Sequence, residues 1–295
     1  MNKLTIDSYA KLNLYLQVSQ RRSDGYHNIR TVFERISLCD KIILTCRRDK
    51  IIRLSCSGRY ALPQDKDNLA WKSAKLLQDS LGLDSGVDIN IIKRIPVGAG
   101  LGGGSSNAAS VLSGLNRLWG LHLTQDRLVR FAAQLGSDVP FFLYDSPFAY
   151  GGGRGDKIIP LKSLKRIRLW HVLLMPAIRV STPLIYRQWD RLRLKRKLTR
   201  PKYNVKILTL ALAKRDKSFI NRYLFNGLEE VTCGLYPQVR RAKEEIRNSG
   251  LESVLMSGSG PAVFGLCAFK KEALSLSGRL RKKNRAWQVF TVCTR

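Results

Sequence analysis

Residues 96–109 read Pro-Val-Gly-Ala-Gly-Leu-Gly-Gly-Gly-Ser-Ser-Asn-Ala-Ala, and no other stretch limits the fold as strongly. Before it, residues 87–95 alternate apolar and polar side chains, which predicts a strand. After it, Ala108, Ala109, Val111, Leu112, Leu115, Leu118 and Trp119 recur at helical spacing, which predicts a helix beginning near Ser105 and buried along one side. Glycine has no Cβ, so successive backbone N–H groups can converge in a tight concave turn, and a helix starting behind it adds unpaired donors and a positive dipole end. The combination is a phosphate cradle, formed by Pro96, Val97, Gly98, Ala99, Gly100, Leu101, Gly102, Gly103, Gly104, Ser105 and Ser106. A flexible linker is a poor description of a segment framed by a strand and a helix start.

Two common phosphate motifs do not fit. A P-loop needs Lys before the Ser/Thr, and Gly104 stands there. Gly98, Gly100 and Gly103 satisfy the dinucleotide spacing, but the next acid is Asp126, inside the following helix.

Three polar sites stand out elsewhere, each with an ordinary explanation beside a functional one. Lys11 and Asn13 alternate with Leu12 and Leu14 in a strand pattern over 4–18, so they share one face. Pattern alone favours solvent for that face over a cleft. Asp24-Gly25 is a strong turn signal, and it displays Tyr26 and His27 at a loop edge, as surface residues or as a stacking and hydrogen-bonding pair. Asp138 enters the apolar run 139–143, either capping a helical turn that has Pro140 near its start or acting as a poorly solvated base.

Taken in chain order, these segments resemble the GHMP kinases. Residues 96–109 are similar to that family's nucleotide motif, residues 10–14 (Ala-Lys-Leu-Asn-Leu) to its first motif, residues 136–140 (Gly-Ser-Asp-Val-Pro) to its catalytic aspartate segment, and residues 257–261 (Ser-Gly-Ser-Gly-Pro) to its second glycine loop. Ala262 stands where many relatives carry Thr. The Gly-Gly-Gly-Ser-Ser-Asn form and Asp24-Gly25-Tyr26-His27 resemble the branch that phosphorylates 4-diphosphocytidyl-2-C-methyl-D-erythritol in non-mevalonate isoprenoid synthesis.

The resemblance implies an α+β GHMP kinase fold of two α/β-sandwich domains, 1–155 and 156–295, with the active site in the cleft between them. It implies Asp138 as base, Lys11 offsetting charge on the transferring group, and the glycine loop on the phosphates of ATP, with Mg²⁺ as companion ion and Ser106 as a possible hydroxyl ligand. Asn13 would orient substrate, Tyr26 would stack on cytosine, His27 would bond its polar edge, Phe33 would complete the wall, and Tyr186 would supply a second ring.

Composition leaves one anomaly. The net charge is +30, from 52 basic and 22 acidic residues; residues 1–147 hold 20 and 13 of these, and 148–295 hold 32 and 9. Residues 191–206 carry eight Lys or Arg and residues 279–285 carry five. A solvated basic face explains this better than a nucleic-acid site, because neither run interleaves aromatics. A basic nucleic-acid-binding protein on the same fold, or a kinase of the mevalonate or homoserine type, stays open as an alternative. Six scattered cysteines without C-x-x-C spacing predict small buried side chains in a reducing compartment. No dedicated metal-ligand set is legible. The first ten residues carry no apolar leader pattern, so a cytoplasmic enzyme, with no membrane partner, is expected.

Overall fold

The structure is a computed structural model that describes residues 2–194 and 205–295. It opens with two long antiparallel strands, β1 (Lys3–Arg21) and β2 (His27–Arg47), followed by β3 (Ile52–Gly58). The turn between the first two is the expected one at Asp24-Gly25, with Gly25 at φ 83°. Sequence pattern predicts shorter pieces, including two short strands over 36–57, of which β3 is the second and the far end of β2 the first. The chain instead keeps β1 and β2 continuous by shifting register between Tyr9/Ala10, Asn13/Tyr15 and Val18/Arg21. Such bulges add twist, so one ribbon turns across the molecule instead of breaking.

β4 (Gly86–Lys93) pairs with the far half of β2 and with β3, and β5 (Phe148–Gly152) pairs with its near half. β6 (Lys157–Pro160), just past residue 155, adds to β5 in the same sheet. Helices α1 (Leu69–Leu81), α2 (Gly103–Leu118) and α3 (Gln125–Leu135) share a core with this sheet. Their ends are set locally. Asn68 Oδ1 accepts the Ala70 N–H at 2.9 Å, Gly82 closes α1 at φ 60°, and Thr124 Oγ1 accepts the Arg127 N–H. α2 buries Ala108, Val111, Leu112 and Leu115 against Ile42, Leu44, Ile89 and Ile91. At Gly114 an added Cβ would stand 2.5 Å from Leu44 Cδ1, so glycine allows the close approach that fixes this helix.

The second half holds β7 (Trp170–Met175), α4 (Thr182–Leu194), α5 (Val205–Lys214), α6 (Lys217–Tyr223), β8 (Phe225–Asn226), α7 (Glu229–Leu235), α8 (Pro237–Asn248), β9 (Val254–Met256), β10 (Val263–Cys267), α9 (Lys270–Lys283) and β11 (Gln288–Cys293). Its sheet runs β11-β7-β10-β9, antiparallel throughout. β8 leaves that sheet and pairs in parallel with β1 at Tyr15 and Leu16. Residues 195–204, the expected loop with a helix resuming near Tyr203, lie outside the described residues, so only part of the first basic run can be placed. The second run has local work. Arg281, Lys282 and Lys283 end α9, where cations favour the helix dipole, and Arg281 donates to Val289 O.

The two halves share one apolar core, in which Ala10, Leu12 and Leu14 of β1 lie with Leu173, Leu208 and Phe264. A buried polar link crosses the same boundary. His171 Nε2 lies 2.9 Å from Glu34 Oε2, and Thr294 Oγ1 donates to Glu34 Oε1 at 2.6 Å. From Ala10 to Leu16 β1 is buried on both faces, while its two ends keep the half-buried alternation the pattern predicts. Of the cysteines only Cys267 is buried and the other five are half-buried, less enclosed than their apolar neighbours suggested. Among the described residues no helix is long and apolar enough to cross a membrane.

Candidate active site

Ala10, Leu12 and Leu14 enter the shared core, so Lys11 and Asn13 between them point the other way, into a cleft of about 670 Å³. They do not face solvent, as pattern alone suggested, since Lys11 is 3% and Asn13 2% exposed. Lys11 Nζ lies 2.5 Å from Asn13 Oδ1 and 3.3 Å from Asp138 Oδ2. Thr31 sets the direction of the amide: Asn13 Nδ2 donates to Thr31 Oγ1 at 2.8 Å, and that hydroxyl donates to Tyr15 O at 2.6 Å. The carboxamide oxygen is thereby turned to the ammonium. Asp138 does not cap the next turn. The 3-10 turn Pro140–Leu143 has Val139 at its N-cap position without a side-chain cap, and the aspartate, with a 31% exposed side chain, stays on the cleft wall.

The glycine segment closes one end of the cleft. α2 begins at Gly103, two residues earlier than predicted, with Gly102 in the left-handed region at φ 68°. The first N–H bonded within this helix turn is that of Ser106, to Gly102 O at 2.8 Å. Those of Gly103, Gly104 and Ser105 precede it and are the donors a phosphate can use. Lys11 N–H donates to Leu101 O at 2.9 Å, binding the loop to β1. Ser257 Oγ donates to Gly100 O at 3.0 Å and accepts the Asn13 N–H at 3.3 Å. The two glycine loops and the strand carrying Lys11 therefore form one hydrogen-bonded unit. Asn226, at the end of β8, holds the second loop by donating to Met256 O at 2.7 Å and Gly258 O at 2.8 Å.

At the other end the turn after β1 meets α4. His27 Nε2 lies 2.8 Å from Asp190 Oδ1, and its ring stacks on Tyr186 at 5.0 Å with the edge of Trp189 at 5.6 Å. Burial, helped by the charge of Asp138, pushes the Tyr186 hydroxyl above its ordinary pKa range, so it stays protonated near neutrality. Tyr26 is exposed, with the Arg154 guanidinium 4.9 Å over its ring, and its N–H bonds Asp24 Oδ1. Thr182, at the start of α4, bonds Ser259 Oγ at 2.6 Å, so this wall is tied to the second glycine loop. Lys11, Arg21, Arg154 and Arg187 line the cleft against Asp138 and Asp190, a balance that suits anionic ligands.

Comparison with known proteins decides the family. A family model described as GHMP kinases N terminal domain matches residues 68–146, and one described as GHMP kinases C terminal matches residues 209–286. A protein of Geobacter sp. (strain M21), named 4-diphosphocytidyl-2-C-methyl-D-erythritol kinase, is 40% identical over 300 residues covering 100% of both chains. The chain belongs to the GHMP kinase family. A protein of the same name from Geobacillus kaustophilus (strain HTA426) is 44% identical over 265 residues, covering 90% of this chain and 88% of its own. The crystal structure titled 4-(cytidine 5'-diphospho)-2C-methyl-D-erythritol kinase superposes with a TM-score of 0.80 at 35% identity, covering 98% of this GHMP kinase and 99% of that chain.

Two expected site residues in this GHMP kinase lie elsewhere than the resemblance implied. Phe33 is fully buried and stacked on Phe141 at 4.9 Å, so it underlies the site, with Lys11 Nζ 5.5 Å from its ring centre, and forms no cleft wall. The Ser106 hydroxyl is buried and accepts from Ser8 Oγ at 2.8 Å, because the early start of α2 turns it toward the sheet. Ser105 lines the cleft instead.

Sequence reasoning missed the support behind the loop. Asp40, fully buried, accepts the N–H groups of Arg94 at 2.7 Å and Ile95 at 2.8 Å, the Asn107 amide at 2.9 Å, and the ammonium of Lys93. One carboxylate thus joins the strand exit to α2. Asp40→Asn leaves the Lys93 ammonium buried without its counter-charge and is expected to cost about 3–5 kcal/mol in denaturant unfolding. Burial pushes Lys93 below its ordinary pKa, and Asp40 opposes that. With Asp40 gone the folded variant binds fewer protons than its unfolded chain, so the deficit should shrink as pH rises toward the lysine range.

Proposed function

We propose that this protein transfers the γ-phosphoryl group of ATP to the 2-hydroxyl of 4-diphosphocytidyl-2-C-methyl-D-erythritol, giving the 2-phosphate and ADP in isoprenoid precursor synthesis. The observation that carries the reading is a single cleft with the Lys11–Asp138 pair beside a helix N-terminus and an imidazole-aromatic cluster at its far end. A nucleoside held by the cluster would direct its linked polyol toward the pair. The names of these relatives support the same substrate.

In this mechanism Asp138 accepts the proton of the attacking hydroxyl, and Lys11, fixed by Asn13, offsets charge on the transferring oxygens. The N–H groups of Gly103, Gly104 and Ser105 hold the phosphates, with the remainder of 96–102 shaping the turn. Tyr26 stacks on cytosine, His27 bonds its edge, and Tyr186 backs the imidazole. Placement and charge stabilisation do most of the work, since phosphoryl transfer has a loose transition state. Mg²⁺, when bound, neutralises the phosphate oxygens. The cleft donor that fits it is the Ser105 hydroxyl, and phosphate and water would supply the other ligands.

The product provides the test. With ATP, Mg²⁺ and the cytidyl substrate, ³¹P spectra should gain one phosphomonoester resonance while the diphosphate signals of the substrate persist. ADP with inorganic phosphate, and no new ester, would refute the transfer.

A further inference from the structure

His27 and Asp190 lie 163 residues apart in sequence, yet they meet at the cytidine end of the cleft. Tyr186 and Asp190 stand four residues apart on α4, so one helix face presents a stacking ring and a carboxylate to the same imidazole. The side chain is 5% exposed and is held by Tyr186 on its face and by Trp189 in an edge contact, which leaves little freedom for a flip. Nδ1 makes no hydrogen bond among the described residues, while the histidine itself lines the cleft.

A carboxylate only accepts, so the neutral imidazole facing Asp190 must carry its proton on Nε2. Its other nitrogen, Nδ1, is then an acceptor. Cytosine offers an amino donor at position 4, whereas uracil offers an oxo acceptor there. We propose that Asp190 determines base specificity: it holds His27 in the Nε2–H tautomer, so that Nδ1 accepts the cytosine 4-amino group and opposes two lone pairs to uracil. The proposal rests on the cytidine reading above and adds a positioning residue to it. Asp190 touches no reacting atom; it acts through His27.

Binding measurements separate this idea from the kinase reading. Calorimetric titration with CMP and UMP is expected to give the wild type a preference for CMP of roughly 100-fold, the scale of one unpaired polar contact in a buried site. Asn can accept from or donate to Nε2, so Asp190→Asn releases the tautomer, and the ratio is expected to fall by about tenfold. A loss of affinity for both nucleotides at an unchanged ratio would indicate a merely structural role and overturn the proposal. The chain has three histidines, His27, His122 and His171, so ¹⁵N-histidine spectra can be assigned with His27→Gln. The His27 signal should report a proton on Nε2 alone in the wild type. A proton on Nδ1, or on both nitrogens, would overturn the proposal even if the Asp190 variant did not fold. Selective CMP binding without phosphoryl transfer would refute the kinase reading and leave Asp190 in its role.

Discussion

Asp138→Asn is expected to lower kcat by about 10²–10⁴, the range for loss of a positioned general base, with little change in the KM for ATP. The asparagine keeps the shape of the side chain and can still contact Lys11 Nζ, now 3.3 Å from Asp138 Oδ2, but it cannot take the hydroxyl proton. Lys11→Met should be as damaging for another reason. It removes the cation that meets both Asn13 Oδ1 and Asp138, and it leaves the Asn13 carboxamide without that partner. Because the two act as a unit, the double variant should lose little more than the worse single one. Additive losses in single-turnover measurements would show that Lys11 and Asp138 serve separate steps.

Gly100→Ala should be the most disruptive substitution in the loops. Gly100 sits at φ 75°, and a Cβ there would lie 2.2 Å from Ser257 O and 3.2 Å from both N and O of Gly260, all backbone atoms that cannot swing aside. The loops would have to part, breaking the bond from Ser257 Oγ to Gly100 O and loosening the contact of that hydroxyl with Asn13 N–H. Backbone strain and overpacking together suggest a cost of about 3–5 kcal/mol and loss of ATP binding. Gly104→Ala is the control. Its Cβ meets only Leu69 Cδ1, at 3.8 Å, in a helical turn that favours alanine, so thermal unfolding should change little. Equal losses at the two positions would mean that the close approach of the loops is not what requires Gly100.

These two glycines also show which parts of the molecule sequence can reveal. Features set by neighbours in the chain were legible: the Asp24-Gly25 turn and the strand-loop-helix frame around 96–109. Family resemblance added Lys11 and Asp138, which the fold brings together although no local pattern pairs them. Contacts across long separations were hidden. Ser106 was assigned to the cleft because its partner Ser8 is 98 residues away and the phase of α2 depends on where the helix starts. Phe33 looked like a wall for a similar reason, since its burial depends on Phe141. Thr31, Asp40, Asn226 and Asp190 carry no motif of their own. Each acts by orienting a residue or a backbone segment that does. β8 is only two residues long, too short for any periodicity to register.

The most direct test of the whole account is steady-state ADP formation by the purified protein with ATP and Mg²⁺, offered 4-diphosphocytidyl-2-C-methyl-D-erythritol, mevalonate or homoserine. Turnover with the cytidyl substrate alone, abolished in Asp138→Asn, is the expected result. Turnover with mevalonate or homoserine, or with none of the three by a folded protein that binds ATP, would contradict it.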